Sequence, residues 1–226
     1  MRKGIAITAA AAAALGLTAA AAALGLTAAS IAPATAASSR LLTRGPDGVT
    51  IDIATVNGSG CPAGTTAVAI SDDKEAFTVT YSDYMAQAGG NSKPTDGRKN
   101  CVISMKVHVP QGFTYGIAQT DYRGYAYLEK GATGVQKASY WFQGNSPTGV
   151  IQHNIPGAYD NNWQFTDKIP VGAIVWKKCG EQRNFNINTE VRATAGTDKT
   201  KTSFIAMDST DGSIKTTYHF SWKTCP

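Results

Sequence analysis

Hydrophobic and polar residues alternate with a period of two along most of the chain beyond residue 48. In the first such run, at 49–56, Val49, Ile51 and Ile53 alternate with small or polar residues. This pattern is typical of a β-strand that buries one face. Gly, Pro, Asn and Asp residues separate the runs, as they do at strand ends. Eleven further strands are predicted in this way, at 66–70, 77–81, 102–109, 114–120, 122–129, 135–142, 163–169, 173–177, 184–193, 202–207 and 214–222.

The number of short strands indicates the fold class. Many strands with regular turns predict an all-β chain, and we expect residues 49–226 to form a single antiparallel β-sandwich or jelly-roll-like domain. The sequence Asp-Ser-Thr-Asp-Gly at 208–212 is expected to form the turn of the last hairpin. A helical turn is predicted at 84–88, which Gly89 and Gly90 would end.

The first 36 residues have a different pattern. Arg2 and Lys3 precede a long Ala-rich apolar run, and Ala-Thr-Ala follows at 34–36. This order is that of a secretory signal peptide, so we expect cleavage near position 36 and a secreted, extracellular protein. The run is long enough for the alternative of a retained membrane anchor, but its Ala, Gly and Thr content makes it weakly hydrophobic. Residues 37–48 are small and polar, and we expect them to form a flexible leader.

The charge of the chain argues against one class of partner. Without Arg2 and Lys3, 19 of the 21 Lys and Arg residues remain against 16 acidic residues, which gives a net charge of +3. The basic residues are interspersed with acidic ones and form no stripe, so nucleic acid is not an expected partner.

All four cysteines follow the predicted signal peptide. An even number in an exported chain predicts two disulfide bonds, and their wide spacing gives no zinc-binding or thioredoxin-like pattern. Three pairings are possible. We expect Cys61 to pair with Cys101 and Cys179 with Cys225, because each bond would close one half of the chain on itself.

Motifs for catalysis are absent from the sequence. There is neither a Gly-x-Ser-x-Gly elbow nor a His-Glu-x-x-His motif, so no catalytic residue and no cofactor are predicted. The three histidines, His108, His153 and His219, are expected to be surface or structural residues. No metal site is predicted. A calcium ion is the alternative, because acidic residues cluster in two predicted turns, with Asp72, Asp73 and Glu75 in one and Asp208 and Asp211 in the other.

Aromatic residues concentrate in one stretch. The 30 residues at 113–142 hold eight of the chain's 20 aromatic side chains. If 130–134 is a turn, the runs on either side of it form a hairpin. Antiparallel pairing would then place Tyr125, Tyr127 and Trp141 on one face with Arg123, while the alternate residues would face the core. These four residues are the predicted binding surface, for sugar rings or a protein partner. The alternative is that a loop covers the rings.

Several short motifs occur in an order that resembles a family of secreted proteins. They are Gly60-Cys61-Pro62, Asn100-Cys101, Asp-Tyr-Arg-Gly-Tyr-Ala at 121–126, Cys179-Gly180, Asn-Ile-Asn at 186–188, and Trp222 before Cys225. The family is uncharacterised, β-rich and known from actinobacteria, other bacteria and fungi. The resemblance covers 49–226 and implies an exported β domain with cysteines at all four positions. It implies no catalytic or binding residue.

Three functional hypotheses follow from these features. The first is a secreted, non-enzymatic domain that binds an extracellular glycan, cell surface or protein. The second is a secreted enzyme, such as a hydrolase, with an unrecognised carboxylate site that includes Asp121 and Glu129. The third is an exported structural or inhibitor protein. The sequence favours the first of these functions.

Overall fold

The alternating runs form thirteen β-strands within residues 39–207 and 215–226, the part of the chain that the computed structural model describes. The predicted signal peptide and the predicted turn at 208–212 lie outside these residues. Two short 3₁₀ helices, Pro94–Gly97 and Val171–Ala173, are the helical elements of the described part. All strand pairs are antiparallel, and they form two sheets.

The first sheet, which we call sheet A, is built around its longest strand. Its eight strands are β1 (Leu41–Leu42), β3 (Thr66–Ile70), β4 (Ala76–Tyr81), β5 (Met85–Ala88), β7 (Phe113–Leu128), β10 (Tyr159–Lys168), β12 (Ser203–Ala206) and β13 (Thr216–Thr224). Asp121 of β7 pairs with Thr166 of β10 and also with Thr217 of β13, so β10 and β13 lie on opposite edges of β7. Further along β7, Tyr127 pairs with Phe204 of β12. Strands β13 and β12 therefore follow one another along the same edge.

The second sheet, sheet B, contains five strands. Their spatial order is β2 (Thr50–Asn57), β6 (Arg98–His108), β11 (Phe185–Ala193), β8 (Thr133–Phe142) and β9 (Ile151–Pro156). The two sheets pack face to face and bury one core between them. The predicted all-β sandwich is confirmed.

Aromatic rings from both sheets fill the core. Tyr115 of sheet A contacts the edge of Phe142 of sheet B, with ring centroids 5.4 Å apart. Tyr115 also meets Phe220 at 5.4 Å, and Phe77 stacks on Tyr218 at 4.7 Å. Such ring pairs contribute about 0.5 to 1.5 kcal/mol each beyond the area they bury.

Both predicted disulfide bonds are confirmed. Cys61 is bonded to Cys101, with their Cα atoms 5.5 Å apart, and this bond is buried in the core. Cys179 is bonded to Cys225, with Cα atoms 5.9 Å apart, near the surface. The first bond ties the loop after β2 to β6, and the second ties the segment after β10 to the end of the chain.

The predicted hairpin between 122–129 and 135–142 is wrong. Tyr127 pairs with Asp160 and Phe204 inside sheet A, whereas β8 belongs to sheet B. The residues between β7 and β8 cross from one sheet to the other. Alternation requires only that each strand bury one face, and two strands in facing sheets meet that requirement as well as a hairpin does. The predicted buried residues of the two strands are buried, namely Tyr122, Ala126, Leu128, Ala138, Tyr140 and Phe142.

Other elements also differ from the prediction. The helical turn predicted at 84–88 is strand β5, because Ala86 pairs with Ile205 and is fully buried. Strand β9, which contains His153, is not among the predicted strands. The strand predicted at 173–177 is absent, and a 3₁₀ helix ends at Ala173 instead. Within the predicted leader, Leu41–Leu42 form the short strand β1, which pairs with β13.

Candidate ligand-binding site

The outer face of sheet A carries a patch of large side chains. Tyr125 and Tyr127 point outward because Ala126 and Leu128, which alternate with them, are buried in the core. Tyr127 is 37% exposed. Phe204 pairs with Tyr127 and shares its face, and Met85 of β5 lies on the same face one strand further. We call the surface formed by Tyr125, Tyr127, Phe204 and Met85 the tyrosine face.

The three rings of the tyrosine face lie next to one another. The centroid of Phe204 is 5.9 Å from that of Tyr125 and 6.2 Å from that of Tyr127. Its plane is inclined by 37° to the first ring and by 28° to the second. The rings therefore form a continuous apolar surface across two strands, in which Phe204 is close to both tyrosines.

Each tyrosine hydroxyl donates a hydrogen bond to a carboxylate. Tyr127 donates to Oε1 of Glu129 at 2.7 Å, and Tyr125 donates to Asp160 of β10. These hydrogen bonds raise the pKa of both phenols. Lys201 lies 3.6 Å from the other oxygen of Glu129. Both rings are thus held in one orientation by their hydroxyl groups.

A cavity of about 290 Å³ opens beside Tyr127. Glu129 and Asp160 contribute to its walls, together with Tyr159. The carboxylates are hydrogen-bond acceptors, so the cavity suits a ligand that presents hydroxyl groups. The geometry combines an apolar ring surface with acceptors at its border.

Gly124 explains how β7 can support this face. A Cβ atom at Gly124 would lie 2.1 Å from the backbone oxygen of Ala206 and 2.2 Å from the ring of Trp163. Only a glycine lets β12 and the buried indole approach β7 so closely. The Asp-Tyr-Arg-Gly-Tyr-Ala motif at 121–126 therefore alternates outward residues with buried ones around a glycine contact.

Asp121 and His219 form a polar pair on the same sheet face. Nε2 of His219 lies 2.7 Å from Oδ2 of Asp121, which also accepts a hydrogen bond from Gln119 at 2.9 Å. Thr166 donates to Oδ1 at 2.6 Å. Burial raises the pKa of Asp121, but the hydrogen bonds from Thr166, Gln119 and His219 outweigh it and hold the pKa below its usual value. Asp121 is thus a charged acceptor that ties β7 to β10 and β13.

The other two histidines also lie beside aspartates. His108 is 3.3 Å from Asp52, and both side chains are largely exposed. His153 is 2.8 Å from Asp167 and stacks on Phe165 with ring centroids 4.3 Å apart. Each of the three imidazoles thus lies beside an aspartate carboxylate.

Asp121 and Glu129 do not form a catalytic pair. Asp121 lies in β7 and Glu129 directly follows the end of that strand, eight residues further along, which corresponds to about 26 Å of extended chain. Glycoside hydrolysis by two carboxylates needs a separation of about 5 to 9.5 Å. The carboxylate site proposed from the sequence is therefore not formed by these two residues.

Trp141 does not belong to the tyrosine face. It lies in β8 of sheet B and pairs with Asn186, so it shares no face with Tyr125. Arg123 does share it, and is exposed opposite Gln164 of β10. Sequence reasoning missed Phe204, Met85 and Asp160. The alternation of 202–207 indicates that Phe204 and its neighbour Ile205 face opposite ways, but it does not indicate which strand lies beside them.

The acidic turn at 72–75 uses Asp73 as a backbone cap. Its Oδ1 accepts hydrogen bonds from the Ser71 hydroxyl at 2.5 Å and from the Glu75 amide at 3.0 Å. The same two bonds lower the pKa of Asp73. In the described residues no group of three or more His, Cys, Asp or Glu side chains could hold a metal ion. Asp208 and Asp211, also considered for calcium, lie outside those residues.

The fold defines a class, namely a disulfide-bonded β-sandwich. Across 39–207 and 215–226, no helix is long and apolar enough to cross a membrane. The chain belongs to the family described as a domain of unknown function (DUF4360), which matches residues 47–225. An uncharacterized secreted protein of Arthroderma benhamiae is 37% identical over 180 residues, which cover 80% of this chain and 73% of that protein. The protein is secreted, as its N-terminal sequence predicts.

Two solved structures show remote similarity. The first is the enzymatically active domain of tailspike protein 4 from bacteriophage CBA120, with 14% identity and a TM-score of 0.26 over 76% of this chain. The chain spans 19% of that tailspike chain. The second is the family 11 carbohydrate-binding module of Clostridium thermocellum in complex with a mixed-linked tetrasaccharide, with 12% identity and a TM-score of 0.22 over 81% of this chain and 94% of the module. These TM-scores are too low to support an argument about function.

Proposed function

We propose that this secreted protein is a carbohydrate-binding domain whose tyrosine face binds a glycan chain outside the cell. The observation that carries the proposal is the cluster of three rings bordered by Glu129 and Asp160. Aromatic rings have flat apolar faces that suit the C–H faces of sugar rings, and the carboxylates accept hydrogen bonds from sugar hydroxyls. An arrangement of this kind favours a sugar over a purely apolar ligand.

The hydrogen bonds of the two tyrosines prepare this surface for binding. Because Tyr125 and Tyr127 are tied to Asp160 and Glu129, their rings do not have to be ordered when a ligand arrives. Ordering a side chain at an interface costs about 0.5 to 1.5 kcal/mol, and preorganisation removes part of that cost.

Polar side chains extend the face along β7 and β10. Asn162 pairs with Tyr125 and Gln164 pairs with Arg123, and all of them lie on the outer face of sheet A. Amides and a guanidinium supply donors and acceptors that sugar hydroxyls can use. Because these polar side chains follow β7 and β10, we expect an extended glycan to lie along β7.

The test is binding to a panel of chitin, cellulose, β-glucan and peptidoglycan by pull-down and isothermal titration calorimetry. Replacing Tyr127 or Phe204 by Ala should weaken binding by about 1 to 3 kcal/mol, as for aromatic anchors, which is about five- to 150-fold in Kd. Trp141→Ala is the matched control, because it removes a partly exposed ring from the other sheet. Thermal melts check that each variant is folded.

Two results would overturn the proposal. One is that the wild-type protein binds none of the four polysaccharides. The other is that Trp141→Ala weakens binding as much as Tyr127→Ala does, since binding would then not depend on the tyrosine face.

A further inference from the structure

The sandwich opens at the end where the edge strands of both sheets stop. Strand β9 pairs with β8 from Thr133 to Ala138, and the last four residues of β8 extend beyond it. Strand β10 ends at Lys168. The segments 143–150 and 169–176 flank the opening that results.

An apolar pocket of about 180 Å³ occupies this opening. Buried side chains of both sheets form its floor, namely Ile117, Tyr140, Phe142 and Phe185. Its exposed lining residues are Gly149 on one segment and Ala173 and Val175 on the other. The pocket therefore reaches from the surface to the core between the sheets.

Backbone hydrogen bonds fix both walls of the pocket. On one side, the Thr148 amide donates to the Tyr140 carbonyl at 2.8 Å, and the Tyr140 amide donates to the Thr148 hydroxyl at 3.0 Å. On the other side, the Ile169 amide donates to the Ala118 carbonyl at 2.8 Å. The pocket is thus preformed.

Exposed valines lie on the same two segments, and one of them, Val175, lines the pocket. Val150 is 65% exposed, Val171 60% and Val175 44%. They are three of the seven large hydrophobic side chains that are exposed among the described residues. Two short segments that flank one opening thus carry a disproportionate share of exposed apolar surface, as binding sites do.

We propose that this pocket binds a small uncharged molecule with a single aromatic ring or a branched alkyl group of the same size. An engineered apolar cavity of about 150 Å³ takes up benzene, so this volume suits one substituted ring. Water gains few hydrogen bonds from such walls, so its displacement by an apolar group favours binding. A small molecule can reach the floor directly from solvent, whereas a polypeptide segment would have to pass between the two walls.

The experiment uses toluene as the probe. Methyl NMR spectra of the mature protein are recorded while toluene is added, with the methyl groups of Ile117, Ile151 and Ile169 as reporters. Shift changes at these methyls that saturate, together with a raised Tm, are the expected result.

Two neighbouring substitutions locate the site. Ala173→Phe places a ring at the rim of the pocket and should weaken toluene binding at least tenfold. Gly172→Phe is the matched control, because Gly172 does not line the pocket and has open space around it. Both positions are exposed, so neither change threatens the fold. Tyr127→Ala should bind toluene as the wild type does, which separates this site from the tyrosine face.

Three outcomes would overturn the proposal. The first is an absence of methyl shifts at saturating toluene. The second is that Gly172→Phe weakens binding as much as Ala173→Phe. The third is a concentration-dependent dimer in analytical ultracentrifugation that Ala173→Phe abolishes, because the occupant would then be a second copy of the chain.

Discussion

At the residue scale, Gly124 supports sheet A through its missing side chain and Glu190 supports sheet B through its charge. Gly124 lets the backbone of β12 and the indole of Trp163 touch β7. Glu190, buried on the outer side of sheet B, accepts hydrogen bonds from Arg98 and Arg192. Steric contacts determine the residue at Gly124 and charge determines the residue at Glu190, so a substitution at each position gives a separate prediction.

Gly124→Ala should destabilise the protein by about 3 kcal/mol, because the added methyl group would overlap backbone on one side and an indole ring on the other. Gly172→Ala is the control, since its Cβ would have nothing within 4 Å. We expect that change to stay within about 0.5 kcal/mol of the wild type. Urea unfolding monitored by fluorescence measures both, and equal stability of the two variants would contradict the close approach.

The charge of Glu190 should make stability depend on pH. Burial raises its pKa, but the hydrogen bonds from Arg192 and Arg98 outweigh it and bring the pKa below 4.5. A lowered pKa stabilises the fold above the unfolded value and loses that contribution as pH falls through the folded value.

Glu190→Gln should therefore lower the free energy of unfolding at pH 7 and flatten its decline below about pH 4.5. We expect a loss of about 1 to 2 kcal/mol at pH 7, at the low end for a charged hydrogen bond because both arginines are partly exposed. Urea titrations between pH 3 and pH 7 test this. An unchanged acid slope in the variant would show that other carboxylates cause it.

At the element scale, alternation predicted which way side chains face but not which strands are neighbours. The buried residues of β7 and β8 could be predicted because, in each strand, the more apolar of the two alternating sets of side chains faces the core. Their pairing could not, since the predicted turn at 130–134 is long enough for either a hairpin or a crossing to the facing sheet. Phe204 was missed for the same reason. It is 77 residues from Tyr127 in sequence, and only the assembled sheet brings the two rings together.

Strand β12 offers a direct test of these facing directions. Ile205 is fully buried and pairs with Ala126, whereas Phe204 lies on the tyrosine face. Ile205→Ala should therefore cost about 2 to 5 kcal/mol of stability, and Phe204→Ala much less. Thermal and urea unfolding of the two variants compare adjacent positions of one strand. A larger loss for Phe204→Ala would mean that its ring is part of the core.

At the scale of the whole molecule, the two disulfide bonds close two loops of similar size. The bonded cysteines are 40 and 46 residues apart, so the chain-entropy model assigns about 4 kcal/mol to each bond. Both pairings could be predicted because each joins residues within one half of the chain. Which of the two bonds is buried could not be predicted, since burial depends on how the sheets assemble around each bond.

The mature protein is expected to begin near Ala37. Leu41 and Leu42 pair with β13, so cleavage at this point keeps strand β1. Intact-mass measurement of protein secreted into the medium gives the N-terminus. Cleavage beyond Leu42 would remove β1 and contradict this expectation, and so would a retained Met1.

The two disulfide bonds should differ in how fast they are reduced. Thiol–disulfide exchange requires that the attacking thiolate reach a sulfur atom. Cys61 and Cys101 are buried in the core, whereas Cys179 is exposed and Cys225 is partly exposed. Since the two loops contribute nearly the same entropy, accessibility is the term that separates them.

Dithiothreitol under native conditions should therefore open the Cys179–Cys225 bond first. The Cys61–Cys101 bond should open at the rate of global unfolding, and added urea should accelerate it much more than the other. Timed alkylation with iodoacetamide followed by peptide mapping reads each cysteine separately. If Cys61 and Cys101 are alkylated as fast as Cys179 without denaturant, the loop that carries Cys61 must open without unfolding of the sandwich, and burial in the core would not protect that bond.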